Sequence, residues 1–136
     1  MSSPTSRVME ALRKAGGIVG IVERYNSFSR TRSDLFGFLD LLCLQGQKIV
    51  GIQCTSGSNH AARVKKAMAI PELKDWLATG AAFEIWSWTR RTGYNKDGSK
   101  AKVKRWQARV QQIVMDEKRR LEVLPAFYPS EDSVKK

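Results

Sequence analysis

The sequence predicts an α/β fold in which a mixed central β-sheet is flanked by helices. Two segments have apolar residues at helical spacing, one near the N-terminus and one after residue 57. Runs rich in β-branched, aliphatic and aromatic residues lie between and after these segments, which is typical of strands. Because strands that alternate with helices form a sheet covered by those helices, we expect a layered α/β domain.

The first helix and the first strand are predicted near the N-terminus. The segment SRVMEALRKA, residues 6–15, carries one apolar stripe, which consists of Val8, Ala11, Leu12 and Ala15. Gly16 and Gly17 follow and end the helix. Residues 17–25, GIVGIVERY, are rich in Ile and Val and predict a strand. The polar residues 26–34, NSFSRTRSD, predict a loop.

Residues 36–56, FGFLDLLCLQGQKIVGIQCTS, predict a β-hairpin. Gly46 and Gln47 fit a two-residue type II′ turn, which favours glycine at its first central position. In the register that this turn sets, Asp40 lies directly across from Gln53, with their Cβ atoms about 5 Å apart on one face of the sheet. A one-residue slip would separate the two side chains, so the register is a testable prediction.

The two cysteines, Cys43 and Cys54, are expected to be small core residues rather than disulfide partners or metal ligands. The predicted register separates them by roughly 13 Å along the strands, which is beyond the reach of a disulfide. Neither cysteine belongs to a Cys-x-x-Cys motif, and His60 is the single histidine of the sequence. A zinc site of the usual composition is therefore not expected.

A second helix is predicted over residues 58–68, SNHAARVKKAM, with Ser58 or Asn59 as its N-cap. Its spacing directs three apolar residues toward the core, namely Ala61, Val64 and Met68. The polar residues left at its flanks or surface are His60, Arg63, Lys65 and Lys66. Pro71 then begins a short helical segment, PELKDWLATG.

Two further strands complete the predicted sheet. Residues 81–91, AAFEIWSWTRR, form an aromatic strand, which the second helix reaches as a crossover from the hairpin. Residues 92–105 are rich in glycine and lysine and predict a loop or hairpin tip, and residues 106–114, WQARVQQIV, predict the returning strand. We expect one domain over residues 1–128 and a disordered tail over residues 129–136.

The charge of the chain indicates a polyanionic partner. The sequence has 24 Lys and Arg against 13 Asp and Glu, which gives a formal net charge of +11. Nucleic acid is the favoured partner. An anionic membrane is the rival, but no long basic amphipathic stretch is present, and a third alternative is that the charge only keeps the protein soluble. No apolar run approaches ~20 residues and no apolar signal-peptide block is present, so we expect a cytoplasmic protein with no membrane partner.

The order of elements around Asp40 and Gln53 resembles the core of the PD-(D/E)XK nuclease superfamily, particularly its small Holliday-junction-resolvase-like members. In that family a strand acid precedes a Glu-x-Lys triplet on the next strand, and a helix lies before and after the pair. The resemblance covers roughly residues 7–90. It implies an αβββαβ, restriction-endonuclease-like core and Mg²⁺- or Mn²⁺-dependent hydrolysis of a DNA phosphodiester.

The resemblance also implies a set of site residues. Asp40 matches the strand acid, and the metal ligands would be Asp40, Gln53 and the backbone carbonyl of Cys54. The triplet Gln53-Cys54-Thr55 stands where Glu-x-Lys is expected, so the amide of Gln53 contributes an oxygen but no charge, and Thr55 is not a cation. A lysine from the next helix, Lys65 or Lys66, is the candidate replacement, and either this lysine or Thr55 would assist the attacking water. A further acid, Glu23, is a possible helper.

A wider set of residues is predicted to contact nucleic acid. The segment TSGSN at a helix start offers backbone N–H groups to a phosphate, and the lysine-rich segment 92–105 offers cations. The predicted contacts are Arg30, Arg32, Ser58, His60, Arg63, Lys66, Arg90, Arg91, Lys100, Lys102 and Lys104. The alternating tryptophans at 86 and 88 are expected to be core or dimer contacts rather than base-stacking platforms.

Three functions remain open from the sequence. The first is a metal-dependent DNA endonuclease, acting on branched or duplex DNA as a homodimer. The second is a catalytically inactive nuclease-fold module that binds DNA, which the altered Gln-Cys-Thr triplet favours. The third is a protein-interaction or inhibitor domain. Each site residue also has a purely structural interpretation, in which Asp40 accepts backbone hydrogen bonds and Gln53 is a satisfied polar residue of the core.

Overall fold

The computed structural model describes residues 3–94 and 97–129, and for residues 91–94 and 101–104 it describes the backbone alone. Three helices and eight strands occupy these ranges. They are α1 (Pro4–Lys14), β1 (Ile18–Ile21), β2 (Arg24–Asn26), β3 (Thr31–Ser33), β4 (Leu41–Gln45), β5 (Lys48–Ser56), α2 (His60–Met68), α3 (Glu72–Ala78), β6 (Ala82–Tyr94), β7 (Lys100–Met115) and β8 (Leu121–Val123). No described helix is long and apolar enough to span a membrane.

Six of these strands form one mixed sheet in the order β1-β4-β5-β6-β7-β8. β5 and β6 are parallel, and the other neighbouring pairs are antiparallel. Parallel neighbours need a crossover. The predicted second helix, α2, forms it together with α3. β2 and β3, which come between β1 and β4 in the sequence, pair with each other in a separate two-stranded sheet. The predicted α/β class, a mixed sheet flanked by helices, is confirmed.

Two apolar clusters hold the helices on opposite faces of the sheet. On one face, Val8 and Leu12 of α1 pack in a cluster with Leu41, Ile52 and Trp86. On the other face, the cluster contains two buried residues from α2 and α3, Ala67 and Leu73, with Phe38, Phe83, Ile85 and Ile113. Full burial of one such large side chain contributes about 1.5–3 kcal/mol. Because side chains alternate along a strand, Ile52 faces α1 and its neighbour Gln53 faces α2.

The β4–β5 hairpin has the predicted register. Leu41 pairs with Ile52, Cys43 with Val50, and Gln45 with Lys48. The turn type is different from the prediction, because Gly46 and Gln47 both have positive φ, 57° and 66°. Two positive φ values define type I′ rather than type II′. Both turns have two central residues, which is why the register is unaffected.

The segments that flank this hairpin differ from the sequence prediction. The strand expected over residues 17–25 is interrupted after Ile21 and resumes as β2, and the expected loop over residues 26–34 contains β3. The loop or tip expected over residues 92–105 is largely taken up by β6 and β7, which extend to Tyr94 and from Lys100. β8 was not predicted, and residues 130–136 of the expected tail lie outside the described ranges.

The cysteines and the start of the second helix lie close to their predicted positions. Cys43 is buried and Cys54 is half-buried, and both are free thiols. A 3₁₀ turn over Gly57–Asn59 precedes α2. Asn59 takes the N-cap position of α2 without a side-chain capping hydrogen bond.

Candidate functional site

A cavity of about 500 Å³ opens at the end of the sheet where β1 finishes and β4 begins. Three acidic side chains and one amide line it, namely Glu23, Asp34, Asp40 and Gln53. Three cations also line it, namely Arg32, Arg63 and Lys66. Asp40 and Gln53, which the sequence predicts to be neighbours, therefore share one cavity on the same side of the sheet.

Asp34 reaches this cavity because the chain folds back on itself around Gly37. The segment Asp-Leu-Phe-Gly-Phe-Leu-Asp, residues 34–40, reads the same in both directions. Leu35 and Leu39 form an antiparallel bridge, and Phe36 and Gly37 between them have positive φ, 55° and 85°. A glycine takes such a φ without steric cost. The turn thus brings the two end residues, Asp34 and Asp40, to the same place.

The three carboxylates form a compact cluster. One oxygen from each of Glu23, Asp34 and Asp40 lies within 4.8 Å of the others. The backbone N–H of Cys54 donates to Oδ2 of Asp40 at 2.8 Å, and Nε2 of Gln53 donates to Oδ2 of Asp34 at 3.3 Å. Since like charges repel strongly at such distances, the cluster requires a proton or a cation.

The pKa of Asp40 is raised, as expected for an acid in such a cluster. Burial, which is the largest cause, raises the pKa of Asp40 from 3.8 to about 8 together with a hydrogen bond from protonated Asp40 to Asp34 and the charges of Asp34 and Glu23. The Cys54 N–H acts in the opposite direction and lowers this pKa. At neutral pH the metal-free site therefore retains a proton on Asp40. A divalent cation would take the place of that proton and compensate the other two acids.

Gln53 supplies the observation that distinguishes this cluster from an ordinary group of acids. Its side chain is 1% exposed, and within the described part of the chain its Oε1 has no hydrogen-bond partner. Leaving a buried polar atom unsatisfied costs about 1–3 kcal/mol. An amide oxygen is a suitable ligand for Mg²⁺ or Ca²⁺. A residue with an unpartnered amide oxygen, on a cavity that three carboxylates also line, fits a hard divalent cation.

The backbone carbonyl of Cys54 was predicted as a further ligand. In an extended strand the N–H and C=O of one residue point to the same side. The Cys54 N–H points to Asp40, so its carbonyl points toward the same edge of β5. The donor set available at the cavity consists of carboxylate, amide and carbonyl oxygens, which is the chemistry that hard cations favour.

The predicted helper residues separate into those on the cavity and those away from it. Lys66 and Arg63, one turn apart on α2, line the cavity, whereas Lys65 is exposed elsewhere on that helix. Thr55 is buried in β5 and is not among the lining residues. Of the two candidate lysines, Lys66 has the position from which a cation can serve the site.

The predicted nucleic-acid contacts are also divided. Arg32 lines the cavity and its Nη1 lies 3.5 Å from Glu23 Oε1. Four other predicted contacts are exposed away from the cavity, namely Arg30, Ser58, Arg90 and Lys100. The side chains of Arg91, Lys102 and Lys104 lie outside the described part of the structure.

His60 does not lie at a flank or surface of its helix, and that expectation is wrong. It is 1% exposed, with Nδ1 at 2.6 Å from Ser87 Oγ and Nε2 at 2.9 Å from Gln111 Oε1. The Gln111 amide nitrogen donates to the Leu124 carbonyl, so its oxygen accepts from His60 Nε2–H, and Nδ1 accepts from Ser87. Burial lowers the pKa of His60. It is a neutral core residue that joins α2 to the sheet.

The tryptophans of β6 are core residues, one of the two roles expected of them. Trp86 is buried and Trp88 packs against the same cluster under α1, and Trp86 Nε1 donates to Glu84 Oε1 at 2.9 Å. Trp106 is instead 47% exposed, with the Arg7 guanidinium 4.3 Å above its ring. Such stacking gives about 0.5–1 kcal/mol at an exposed site.

The residue that sequence reasoning missed is Asp34. It was assigned to a loop, yet it stands in the acidic cluster beside Asp40. The signal that could have found it is Gly37 between two short apolar runs, because glycine readily takes the positive φ of a tight turn.

No family model, no curated protein and no solved structure matches the chain.

Proposed function

We propose that the protein is a divalent-metal-dependent DNA endonuclease of the PD-(D/E)XK, Holliday-junction-resolvase-like type. The observation that supports this most directly is that Gln53, whose buried Oε1 has no partner among the described residues, lines the same cavity as three clustered carboxylates. A protein does not gain stability from such an arrangement without a cation. The net charge of +11 supports a polyanionic substrate.

In this proposal the chain holds Mg²⁺ or Mn²⁺ through Asp40, Asp34, Gln53 and the carbonyl of Cys54, and Glu23 completes the negative charge. The bound ion would supply the polarisation of the phosphodiester and the acidification of the attacking water. Asp40 would release its proton to solvent on binding such an ion.

The cations of α2 have a separate role in the proposal. Lys66 and Arg63 approach the cavity from the face opposite α1, where they can pair with the nonbridging oxygens of the scissile phosphate. They compensate the extra charge that develops at phosphorus. Lys66 thereby takes the place of the missing lysine at Thr55.

We also propose branched DNA as the preferred substrate and a homodimer as the active form, since a resolvase must cut two strands.

A catalytically inactive DNA-binding module is the second candidate. Its support is the triplet Gln53-Cys54-Thr55, in which neither the acid nor the lysine of the family motif is present. The same cavity would then bind a cation that only bridges the protein to a phosphate. A protein-interaction domain is the third, and it requires no affinity for DNA.

One experiment separates these functions. Four-way-junction and duplex DNA are incubated with the wild type and with Asp40→Asn, Asp34→Asn and Asp75→Asn, each with Mg²⁺, Mn²⁺ or EDTA. Asp75→Asn is the matched control, because Asp75 is an exposed acid on α3 outside the cavity. We expect metal-dependent cleavage by the wild type and the control, and a decrease of roughly 100-fold or more in both site variants.

The outcomes discriminate clearly between the candidates. Salt-sensitive DNA binding without cleavage at any metal concentration supports the inactive module. Absence of DNA binding at moderate salt eliminates both the nuclease and the module. Cleavage that persists in both site variants contradicts the assignment of the cavity as the catalytic centre.

A further inference from the structure

The small hairpin formed by β2 and β3 has a composition that folding does not explain. Every residue from 24 to 33 is exposed, and none belongs to either core cluster. The ten residues include Arg24, Arg30 and Arg32 and no acid. A segment that buries so little gains little stability from burial, so its exposed cations and aromatic residues are available for an interaction.

The tip of this hairpin holds an aromatic ring in water. Phe28 is 99% exposed, whereas a phenylalanine is usually buried. The turn beneath it is ordered by side-chain bonds, because Oδ1 of Asn26 accepts from the N–H groups of Phe28 at 2.9 Å and Ser29 at 3.3 Å. The hydroxyls of Ser29 and Thr31 lie 2.6 Å apart. The ring is therefore presented by a preorganised turn, which lowers the entropic cost of using it in a contact.

The hairpin is joined directly to the candidate metal centre at both ends. Glu23 precedes β2 and Asp34 follows β3, and both belong to the acidic cluster. Arg32 belongs to the hairpin and lines the cavity as well. At about 3.3 Å per residue, the tip lies ~15 Å from the acids. With about 3.4 Å between successive nucleotides, that distance corresponds to about four or five nucleotides.

A second, open cavity of about 390 Å³ lies along the hairpin itself. It is lined by Arg24, Tyr25, Asn26, Ser27 and Ser33. A guanidinium, a phenol ring that is 62% exposed, an amide and two hydroxyls are groups that contact phosphates and bases. The hairpin thus has a cationic, hydrogen-bonding flank below its apolar tip.

We propose that residues 24–33 form an arm that binds DNA and that Phe28 stacks on an unpaired or unstacked base close to the scissile phosphate. Phenylalanine wedges unstack base steps in this manner in other DNA-binding proteins. The proposal rests on the proposed nuclease function for its position next to the cleavage site, and it makes a distorted or branched region of DNA the substrate. An anionic membrane is less suitable, because binding to a bilayer scales with the apolar area inserted, and the tip of the hairpin offers the single ring of Phe28.

The experiment measures binding in EDTA, so that cleavage is not required. Two DNA molecules are compared by fluorescence anisotropy, an intact duplex and the same duplex with a 2-aminopurine bulge. The variants are Phe28→Ala and the matched control Phe127→Ala, since Phe127 is 46% exposed and lies beside β7. Vesicles that contain phosphatidylserine are the comparison for lipid. Because Phe28 is exposed, Phe28→Ala should fold and melt like the wild type.

We expect Phe28→Ala to weaken binding of the bulged DNA by roughly 5- to 100-fold, which is the worth of one stacked base. Its affinity for intact duplex should change less than twofold, and the change of 2-aminopurine fluorescence seen with the wild type should disappear. The Phe127→Ala protein should behave as the wild type on both DNA molecules.

The results also separate this proposal from the nuclease proposal. If Phe28→Ala binds both DNA molecules like the wild type, or if the wild type binds neither, the arm proposal is overturned. Binding to vesicles that depends on Phe28, without such an effect on DNA, also overturns it. A wild type that shows the Phe28-dependent preference for the bulge and yet never cleaves DNA supports the arm and refutes the nuclease.

Discussion

Replacement of Gln53 by glutamate tests the metal site through two opposite effects on stability. In the metal-free protein, Gln53→Glu removes the hydrogen bond from Gln53 Nε2 to Asp34 Oδ2 and adds a carboxylate to a cluster that already contains three. The lost bond leaves a buried polar partner, which costs about 1–3 kcal/mol. Two unit charges about 4 Å apart repel by ~4 kcal/mol at an effective dielectric constant of 20, of which protonation relieves a part.

The expected result is a metal-free protein that melts roughly 5–10 °C below the wild type, since about 1 kcal/mol corresponds to several degrees for a chain of this size. With a divalent ion the order should reverse, because a charged oxygen replaces a neutral one as ligand. The charge of the ligand set determines affinity for such ions, and we expect Mn²⁺ or Mg²⁺ to bind roughly 10- to 100-fold more tightly to Gln53→Glu.

The assay is a thermal melt at increasing metal concentration, with the dissociation constant measured by calorimetry. The matched control is Gln112→Glu, because Gln112 Nε2 donates to Glu84 Oε2 at 2.9 Å in the same manner, away from the cavity. This control should lose stability without any gain in metal affinity. Equal metal affinity of Gln53→Glu and the wild type would show that the unsatisfied oxygen is not a ligand. Equal stabilisation of both variants by metal would also refute the reasoning.

Three further predictions concern pH, the buried histidine and a close approach in the sheet. The pKa of Asp40 is about 8 in the folded protein and 3.8 in the unfolded chain. The folded state therefore binds the proton more tightly, and the metal-free protein should lose stability as the pH rises from about 4 to about 8. Urea titrations at several pH values check this, and the stability of Asp40→Asn should depend less on pH. His60→Ala should lower the free energy of unfolding by about 2–4 kcal/mol, because it removes two buried hydrogen bonds, and in the folded fraction DNA binding should be unchanged. Gly51→Ala would place its Cβ 2.8 Å from Trp76 Cζ2 and should cost about 1–3 kcal/mol in a urea titration, whereas Gly20→Ala, with nothing within 4 Å, should cost less than about 1 kcal/mol.

The parts of the fold that the sequence predicted correctly are those with a strong hydrophobic period. The β4–β5 hairpin alternates around a two-residue turn, so its register follows from the chain alone and brings Asp40 and Gln53 to one cavity. The crossover by α2 and α3 follows from the amphipathic spacing of α2. These features depend on short-range geometry, which a single sequence contains.

The parts that could not be predicted lack such a period or depend on distant contacts. β2 and β3 are exposed on both faces, so they have no alternation of apolar and polar residues and resemble a loop. His60 of α2 can be buried because Ser87 of β6 and Gln111 of β7 form hydrogen bonds with its ring. Helical spacing alone does not reveal these two partners. Asp34 is far from the hairpin in the predicted pairing and joins it only through the turn at Gly37, which also requires a positive φ at Phe36.

The proposed function requires one small surface to bind both a cation and a polyanion, and the distribution of charge around the cavity permits this. A phosphodiester that approaches Glu23, Asp34 and Asp40 is repelled to the extent that their charge is not compensated, since like charges repel at short range. The bound ion would remove this repulsion, and Arg32, Arg63 and Lys66 then attract the phosphate from two sides. Metal and DNA should therefore strengthen the binding of one another by the same factor, as linkage requires. The acids alone would account only for a bound cation and the basic side chains only for a bound phosphate, so the proposed site depends on both groups.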